Sequence, residues 1–474
     1  MPYGLKDIEL AKLNEVFAAN ERIERVILYG SRAKGNYKPF SDVDITLEGA
    51  ELTHNDLSRL SLAIDDLLLP YQFDISIFHT LKNEALIDHI RRMGITIYEK
   101  KSEWKEYKLG EVAEILDYKR KPLSSMERSS RKGGYPYYGA SGIIDSIDDY
   151  IFDGEHVLIS EDGENLRTRQ TPIAFMADGK FWVNNHAHIL KSDYVHSRLI
   201  CYYFAQLDLN PYITGAVQPK LSQDSLNRIP LFLPTSINER EIIVSILSSL
   251  DDKIDLLHRE NATLEQMAET LFRQWFVVEA KEEWKEKPLS FFGKIVCGKT
   301  PPKKEKKYFG GQIPFIKIPD MHNNVFVFNS EDTLTEEGVL SQKEKTIPPF
   351  SIIVSCIATV GLVVMNAKKA QTNQQINSII PEKEYYRYFL FLHLRNMYEE
   401  LNAMASGGTA TLNLNTGNFS KILLPCPTDD YLRVFNEQVK DLFLKIYSNQ
   451  KQIQTLIQTR DGLLPRLMSG EVKL

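Results

Sequence analysis

The chain has 474 residues, which at roughly 150 residues per domain predicts about three domains and excludes a single small binding module. Hydrophobic residues make up 43% of the chain and charged residues 25%, as in ordinary globular proteins, so a disordered chain is excluded. The net charge of -6 excludes a polybasic surface over the whole molecule. Any contact with nucleic acid is therefore expected to be local.

The cysteines and the apolar segments indicate a cytoplasmic protein. The four cysteines lie at least 59 residues apart, so they form no CxxC zinc pair and predict no disulfide framework. The N-terminal segment carries charged residues and no apolar core of a secretory signal. The longest uncharged apolar stretch, 350–365, is shorter than the ~18 residues of a membrane helix and contains Gly361. We expect two buried strands around a turn there.

The first 100 residues contain an apolar strand followed by a small-residue turn and paired carboxylates. Residues 26–29 form the apolar strand, which ends in Gly30-Ser31, and ten residues later come Asp42 and Asp44. Residues two apart in a strand point to the same face, so these two aspartates are expected to project together. Their pattern predicts a site for a divalent metal ion.

A later apolar strand, 73–77, carries Asp74 and is expected to bring a third carboxylate beside Asp42 and Asp44. Three aspartates supply the hard oxygen ligands that Mg2+ prefers. Gly30 lets backbone amides and the Ser31 hydroxyl approach a triphosphate closely. Metal ions held there would activate an attacking hydroxyl and stabilise a leaving pyrophosphate.

This pattern resembles the minimal nucleotidyltransferases of the DNA polymerase β superfamily, including those that act as antitoxins by adenylylating a toxin. The resemblance implies an α/β domain over residues 1–100, with Asp42, Asp44 and Asp74 as catalytic and Mg2+-binding residues and Gly30 and Ser31 as nucleotide-binding residues. It also implies a nucleoside triphosphate substrate and a helical toxin partner. Such domains also persist as scaffolds, so whether this domain is an active enzyme stays open.

The remainder of the chain is an internal duplication, which fixes the architecture more firmly than local propensities do. Six residues recur in register 180 positions later, beginning with Trp104 and Trp284. Asn185-His186 is aligned with Asn373-Gln374, at an offset of 188. Further matches at an offset of 193 join Gly215, Leu221, Ile229 and Pro234 to Gly408, Leu414, Ile422 and Pro427. The unit is predicted to be one strand-rich domain followed by one long helix, used twice.

Both long helical segments carry apolar stripes of heptad spacing, which predicts an antiparallel coiled coil. In the first segment one seam position repeats every seven residues, at Ile243, Leu250, Leu257, Leu264 and Leu271. The other seam position is assigned to Ile246 and Met267, with polar interruptions at Lys253, Glu260 and Gln274. In the second segment the stripe is Phe435, Val439, Leu442, Ile446, Ile453, Leu456 and Leu463, interrupted by Asn449 and Arg460. Polar seam positions can fix the register between two helices.

Each strand-rich domain carries a basic loop at the same place, and this repetition favours contact with DNA phosphates over plain solvation. The predicted contacts are Lys119, Arg120 and Lys121 in the first copy and Lys299, Lys303, Lys304, Lys306 and Lys307 in the second. Arg167 and Arg169 either read guanine bidentately or cap a polar loop, and both alternatives stay open. His186 and His188 have the spacing of a metal pair, but the second copy lacks the first histidine, so hydrogen bonding is favoured.

Residues 101–474 resemble the specificity subunits of type I restriction-modification systems. The resemblance depends on the Trp-Lys start of each copy, on residues 137–142 (YYGASG), on 298–301 (GKTP) followed by 313–316 (IPFI), and on 271–276 (LFRQWF). The ending 463–470 (LLPRLMSG) is the most telling segment. The resemblance implies two target recognition domains held apart by an antiparallel coiled coil, each reading half of a bipartite site on double-stranded DNA. It further implies adenine methyltransferase subunits and ATP-driven restriction subunits as partners.

The predicted fold is therefore an α+β multidomain chain. The domains are expected at 1–100 (nucleotidyltransferase-like), 101–236 (first recognition domain), 237–281 (first helix), 282–428 (second recognition domain) and 429–474 (second helix). No amino-methyltransferase motif and no Walker A sequence occurs, so the specificity part is expected to be non-catalytic and to need no cofactor. The competing hypothesis is an enzyme, a nucleotidyltransferase whose target is chosen through the attached DNA-binding domains.

Overall fold

The computed structural model describes residues 2–38, 40–49, 52–100, 103–215, 217–406 and 412–472. Gly408 of the duplication lies outside these residues. The chain divides into two compact units, Met1–Ser248 with Asp461–Leu474, and Ser249–Arg460. Each unit has its own buried apolar clusters, and each is described separately below.

The N-terminal domain is a four-stranded sheet with helices packed against it. Its elements in chain order are α1 (Asp7–Ala18), β1 (Arg25–Leu28), α2 (Gly30–Ala33), β2 (Val43–Glu48), α3 (His54–Asp65), β3 (Phe73–Ile77), α4 (Glu84–Met93) and β4 (Ile95–Glu99). The strand order is β3-β2-β1-β4, and β2 and β3 run parallel. The predicted strand 73–77 is confirmed, and the strand predicted at 26–29 is found one residue earlier, at 25–28. Val26, Leu28, Val43 and Ile45 are fully buried, because one face of the sheet packs on the helices.

The first recognition domain is strand-rich, as its sequence predicts, with ten strands among the described residues. Its strands are β5 (Trp104–Lys108), β6 (Glu114–Ile115), β7 (Lys132–Gly139), β8 (Gly142–Ile147), β9 (Phe152–Asp153), β10 (His156–Ser160), β11 (Ala174–Ala177), β12 (Lys180–Val183), β13 (Ala187–Lys191) and β14 (Pro230–Pro234). Its helices are α5 (Leu109–Val112), α6 (Ser125–Ser130), α7 (Asn165–Thr168), α8 (Tyr194–Gln206) and α9 (Gln223–Asn227). The sheets have the orders β11-β10-β13-β6, β8-β7-β12-β9 and β14-β5.

The long helix α10 (Ile237–Arg273), which continues as a π-helical turn at Gln274–Val278, precedes the second recognition domain. The strands of that domain are β15 (Lys285–Pro288), β16 (Gly293–Cys297), β17 (Phe309–Ile316), β18 (Phe326–Val327), β19 (Thr333–Leu334), β20 (Ile352–Ser355), β21 (Val363–Asn366), β22 (Gln371–Thr372), β23 (Ile376–Pro381) and β24 (Leu423–Cys426). Its helices are α11 (Leu289–Phe292), α12 (Glu336–Leu340), α13 (Arg387–Asn396), α14 (Tyr398–Ala405) and α15 (Thr416–Ser420). The second long helix, α16 (Asp429–Met468), follows this domain. The apolar stretch 350–365 forms the antiparallel strands β20 and β21, as expected.

The two recognition domains share most of their strand pairings, which confirms the duplication; the pairs β9–β12 and β18–β21 have no counterpart in the other copy. In each domain the first strand pairs antiparallel with the last, β5 with β14 and β15 with β24. In each domain one strand pair is parallel at equivalent residues, with Tyr137 opposite Trp182 and Phe315 opposite Gln371. The shared topology shows that the duplication extends to the tertiary structure.

The structure corrects one alignment between the copies. The backbone N–H of Asn184 donates to the carbonyl of Tyr138, and that of Asn373 donates to the carbonyl of Ile316, which occupies the matching place in β17. Asn184 is therefore equivalent to Asn373, at an offset of 189. The offset of 188 was wrong by one residue, because neighbouring asparagines at 184 and 185 fit the sequence pattern equally well.

Helices α10 and α16 pack against each other in antiparallel orientation within the second unit. Ile254 and Leu257 pack with Ile453. One turn before Ile453, the buried Asn449 donates to Asn261 Oδ1 at 2.9 Å. Toward the end of α16, Arg460 pairs with Asp251 at 2.9 Å. The polar residues Asn449 and Arg460 thus contact specific partners, as expected of residues that fix register. The pairing is antiparallel, and the supercoil of a coiled coil stays a prediction.

The seam assignment of α10 needs a correction. The heptad residue Leu257 is buried, but the intervening seam position is occupied by Ile254 and Ala268, which are 7% and 0% exposed. Met267, which was assigned to the seam, is 49% exposed. Lys253 and Gln274 are exposed and also lie outside the seam. Spacings of three and of four residues both occur in a heptad, so the sequence pattern alone did not separate the two assignments.

Candidate functional site

The three aspartates of the N-terminal domain meet at one end of two parallel strands. Asp44 lies directly opposite Asp74 in the register of β2 and β3, and Asp42 immediately precedes β2. Burial raises the pKa of Asp44, and the negative charges of Asp74 and Asp42 raise it further, although the Arg32 guanidinium opposes them. The predicted grouping of the three carboxylates is thus present, and it forms a concentration of negative charge.

The turn after β1 is fitted closely to this carboxylate group. Gly30 has a φ angle of 72°, in the left-handed region that favours glycine, and a Cβ at this position would overlap the Asp44 carboxylate. The backbone N–H of Tyr29 also donates to the Asp44 carbonyl at 2.9 Å. Ser31 follows within the short helix α2. The structure therefore brings Gly30 against the Asp44 carboxylate. The nucleotide-binding role of Gly30 and Ser31 stays a prediction.

Arg32 holds the segment that leads into β2, a role that sequence analysis missed. Its side chain is 1% exposed and donates to the carbonyls of Ser41, Asp42 and Tyr3 at 2.7 to 3.2 Å. An arginine directly after Gly-Ser offers no sequence signal that separates such a buried clamp from a phosphate ligand. The guanidinium therefore positions Asp42 through its backbone.

The distances between possible ligand atoms distinguish the three aspartates from a second cluster of titratable side chains, which lies in the first recognition domain. Among the described residues, three ligand atoms within 4.8 Å of one another occur at Asp117, Glu161 and His188 alone. The side-chain oxygens of Asp42, Asp44 and Asp74 are thus more widely spaced. Their chemistry, three carboxylates around a glycine turn, fits a hard divalent cation.

The cluster at Asp117, Glu161 and His188 is an internal ion network of the first recognition domain. His188 is 1% exposed, and its Nδ1 lies 2.6 Å from Asp117 Oδ2. Arg120 Nη1 lies 2.5 Å from Glu161 Oε2, and Lys220 Nζ lies 3.1 Å from the other oxygen. These cations already neutralise the carboxylates. The cluster therefore has no excess negative charge that would attract a metal ion.

The pKa of Asp117 follows from the same contacts. Burial by itself raises this pKa, but the hydrogen bond and the charge of His188, the Ile189 N–H and the Arg120 charge together lower it below its usual value. His186 contacts a different carboxylate, Asp162, at 2.8 Å. The two histidines therefore serve separate hydrogen bonds, which confirms the favoured interpretation.

The second copy does not repeat this network. Backbone hydrogen bonds make Cys356 the equivalent of Glu161, since Glu161 N donates to His186 O and Cys356 N donates to Gln375 O. The offsets given above place Cys297 and Asn377 at the positions of Asp117 and His188. Burial is the main cause that raises the pKa of the Cys356 thiol, to about 11. A charged interior is thus particular to the first recognition domain.

The structure separates the predicted DNA contacts of the first copy into surface and interior residues. Lys119 and Lys121 are exposed. Arg120 is directed inward, to Glu161 and to the Ala187 carbonyl at 3.0 Å, so its geometry gives no support to a phosphate contact. Sequence analysis had no signal for this, because the buried carboxylates that bind Arg120 are distant in the chain.

Arg169 and Arg167 differ in a similar way. Arg169 donates to the carbonyls of Phe204, Ala205 and Leu207 at the C-terminal end of α8, so it caps a helix and not a polar loop. Arg167 is exposed, and it donates to the Gly215 carbonyl at 3.0 Å. Pairing of either arginine with a DNA base stays a prediction.

All five predicted lysines of the second copy are exposed. They are Lys299, Lys303, Lys304, Lys306 and Lys307. Lys307 forms an ion pair with Glu337, and this hydrogen bond raises the pKa of the lysine. The loop therefore presents positive charge at the surface, next to strand β17.

Comparison with known proteins identifies the family. Residues 101–266 and 281–458, well over half of the chain, match the model of the type I restriction modification DNA specificity domain. The chain belongs to the type I restriction-modification specificity subunits. Residues 11–103 match the model of the polymerase beta nucleotidyltransferases, so this specificity subunit carries a nucleotidyltransferase-like domain at its N-terminal side.

Two relatives illustrate the extent of the similarity. The specificity subunit is 38% identical over 328 residues to the type I restriction enzyme HindI specificity subunit of Haemophilus influenzae, a match covering 54% of this chain and 71% of the relative. It is 26% identical over 343 residues to the MjaIX specificity subunit of Methanocaldococcus jannaschii, covering 66% and 78%.

A solved structure supports the fold of the specificity subunit. The crystal structure of the type I restriction-modification S subunit from M. genitalium aligns with a TM-score of 0.55 at 14% identity, covering 78% of this chain and 97% of that chain. At this identity the likeness shows the fold alone. In the described part of the specificity subunit, no helix combines the length and apolar character needed to cross a membrane.

Proposed function

We propose that this specificity subunit reads a bipartite site on double-stranded DNA, one half-site with each recognition domain. Type I specificity subunits in general associate with DNA, with methyltransferase subunits and with restriction subunits. On this proposal, the chain positions adenine methyltransferase subunits and ATP-driven restriction subunits at the site.

One observation carries the proposal. The second recognition domain repeats most strand pairings of the first, and in both copies exposed lysines precede the same long strand, β7 or β17. Lysines neutralise phosphates without regard to sequence, so two equivalent basic segments suit two contacts on one duplex. A single recognition event would not need the duplication.

The test is a genome-wide map of N6-methyladenine in cells with and without the gene, together with its methyltransferase subunits. We expect one two-part motif to be methylated only when this chain is present. Methylation of the same motif without the chain, or none with it, would contradict the proposal.

A second candidate function, nucleotide transfer by the N-terminal domain, is favoured by the register of Asp44 with Asp74 and by the closely fitted Gly30. Asp42, Asp44 and Asp74 would hold Mg2+, which supplies positive charge for a triphosphate. Gly30 and Ser31 would lie along the phosphates. The acceptor would be a helical toxin protein, in keeping with the antitoxin-like members of this superfamily.

Replacing Asp42 and Asp44 together with asparagine is expected to abolish nucleotide transfer, because it removes two of the three negative charges that attract the cation. The assay follows transfer of label from α-labelled ATP with Mg2+ to a co-expressed helical toxin. DNA methylation should keep its motif, since the recognition domains are unchanged.

The matched control replaces Asp65 and Asp66, two exposed aspartates of the same domain, with asparagine, and it should transfer label normally. Transfer that persists in the Asp42/Asp44 variant would exclude these residues as the metal ligands. Loss of methylation in a folded, assembled variant would show instead that the domain takes part in DNA recognition.

A further inference from the structure

Both recognition domains contain the same tight turn, at residues 184–186 in the first copy and 373–375 in the second. In the first copy, Asn184 Oδ1 accepts from the His186 N–H at 2.8 Å. In the second, Asn373 Oδ1 accepts from the Gln375 N–H at 3.1 Å. Each turn follows the strand that pairs in parallel with the long strand of its domain, β12 or β22.

Each turn presents one exposed amide side chain at its centre. Asn184 and Asn373 are both 7% exposed, whereas the residues that follow them, Asn185 and Gln374, are exposed. The buried asparagine builds the turn and the next amide faces outward. Both copies thus have an amide side chain at this position, although the glutamine side chain is longer than the asparagine side chain.

The basic segment of each copy contacts the strand that leads into this turn. Trp182 Nε1, on the strand before the first turn, donates to the Lys121 carbonyl at 2.6 Å. In the second copy the Lys299 N–H donates to the Thr372 carbonyl at 2.9 Å. Each exposed amide therefore follows closely after a strand residue that contacts the basic segment, and lysines of such a segment suit the phosphate contacts that accompany base reading.

In the second copy, a cavity lies beside the exposed amide, and a hydrogen bond fixes the orientation of that amide. A cavity of about 350 Å³ has Gln374, Lys303 and Phe309 in its lining, together with the ion pair of Lys317 and Asp332. The Thr300 hydroxyl donates to Gln374 Oε1 at 2.7 Å. An amide oxygen has two acceptor sites, so Oε1 keeps one for a base while Nε2 donates.

We propose that Gln374, and Asn185 at the equivalent place, each read an adenine in one half-site of the DNA. An asparagine or glutamine amide pairs bidentately with the N6 amino group and the N7 of adenine in the major groove. This inference rests on the proposed DNA-reading function and assigns base-reading residues within it.

The test uses the full chain co-expressed with its methyltransferase subunits, with the methylated motif read genome-wide. Gln374→Ala should make one adenine position of one half-site unspecific and lower discrimination there by about 5- to 150-fold. Asn185→Ala should do the same in the other half-site. Gln374→Arg should change the preferred base at that position to guanine, because arginine pairs bidentately with guanine. Gln312→Ala, at an exposed glutamine of the same domain outside the cavity, should leave the motif unchanged.

The inference is overturned if Gln374→Ala and Asn185→Ala methylate the wild-type motif, or if either variant alters both half-sites. Should Gln374→Ala methylate nothing, Gln374→Arg decides: a guanine in place of adenine supports base reading. Absence of methylation in both, with Gln312→Ala active, assigns Gln374 a structural role and overturns it. A wild-type chain that directs no bipartite methylation would contradict the proposed function itself, whatever the variants do.

Discussion

Exchanging residues 105–235 for the corresponding domain of another type I specificity subunit is expected to replace one half of the methylated motif and leave the other half intact. The structure shows why this segment is a natural unit. Trp104 lies opposite Pro234 in the β5–β14 pair, and the Thr235 N–H donates to the Glu103 carbonyl at 2.7 Å. The two cut points therefore lie side by side, and the exchanged segment closes on itself.

The exchanged domain must also keep one apolar contact. Ile243 and Leu247 of α10 and Leu467 of α16 are buried in the same cluster as Leu231 and Leu233 of β14. The donor should therefore retain apolar residues at the positions of Leu231 and Leu233, since a mismatched core loses a few kcal/mol.

The measurement is a genome-wide map of N6-methyladenine with the chimera and the wild-type chain. The reciprocal exchange of residues 285–426, whose ends pair as Lys285 with Cys426, should change the opposite half-site. Both half-sites changing together in either chimera would show that the domains do not read DNA independently.

The second large effect is expected from lengthening the paired helices. Seven residues inserted after Leu257 and seven at the facing position preserve the heptad and add ~10 Å to each helix at 1.5 Å per residue. At ~3.4 Å per base pair, the unspecified spacer between the half-sites should grow by about three base pairs, with both half-sites unchanged. The structure sets the facing position at Ile453, which packs with Leu257.

The control inserts seven residues after Leu257 alone. This variant shifts Asn261 away from Asn449 and leaves buried amides without their partners, so it should lose assembly and methylation. A matched double insertion that methylates with the original spacer would show that the helices do not set the distance between half-sites. Altered half-site bases would contradict the separation of reading and spacing.

The sequence by itself determined the features that depend on local pattern or on repetition. The duplication was visible from Trp104 and Trp284, and the carboxylate site from the spacing of Gly30, Asp42 and Asp44. Strand alternation places Asp42 and Asp44 on one face without reference to the rest of the fold. The spacing of apolar residues likewise identified both long helices.

Tertiary structure alone decided which of several equivalent local patterns is used. The seam of α10 passes through Ile254 and Ala268 and not through Met267, because the partner helix selects one of two spacings that a heptad allows. Arg32 is buried and Arg120 is half-buried, because their acceptors, the Asp42 carbonyl and Glu161, are brought to them by other parts of the fold. Charge in a loop has the same appearance in sequence whether it faces DNA or a buried carboxylate. Only the long-range pairing of strands separates the two.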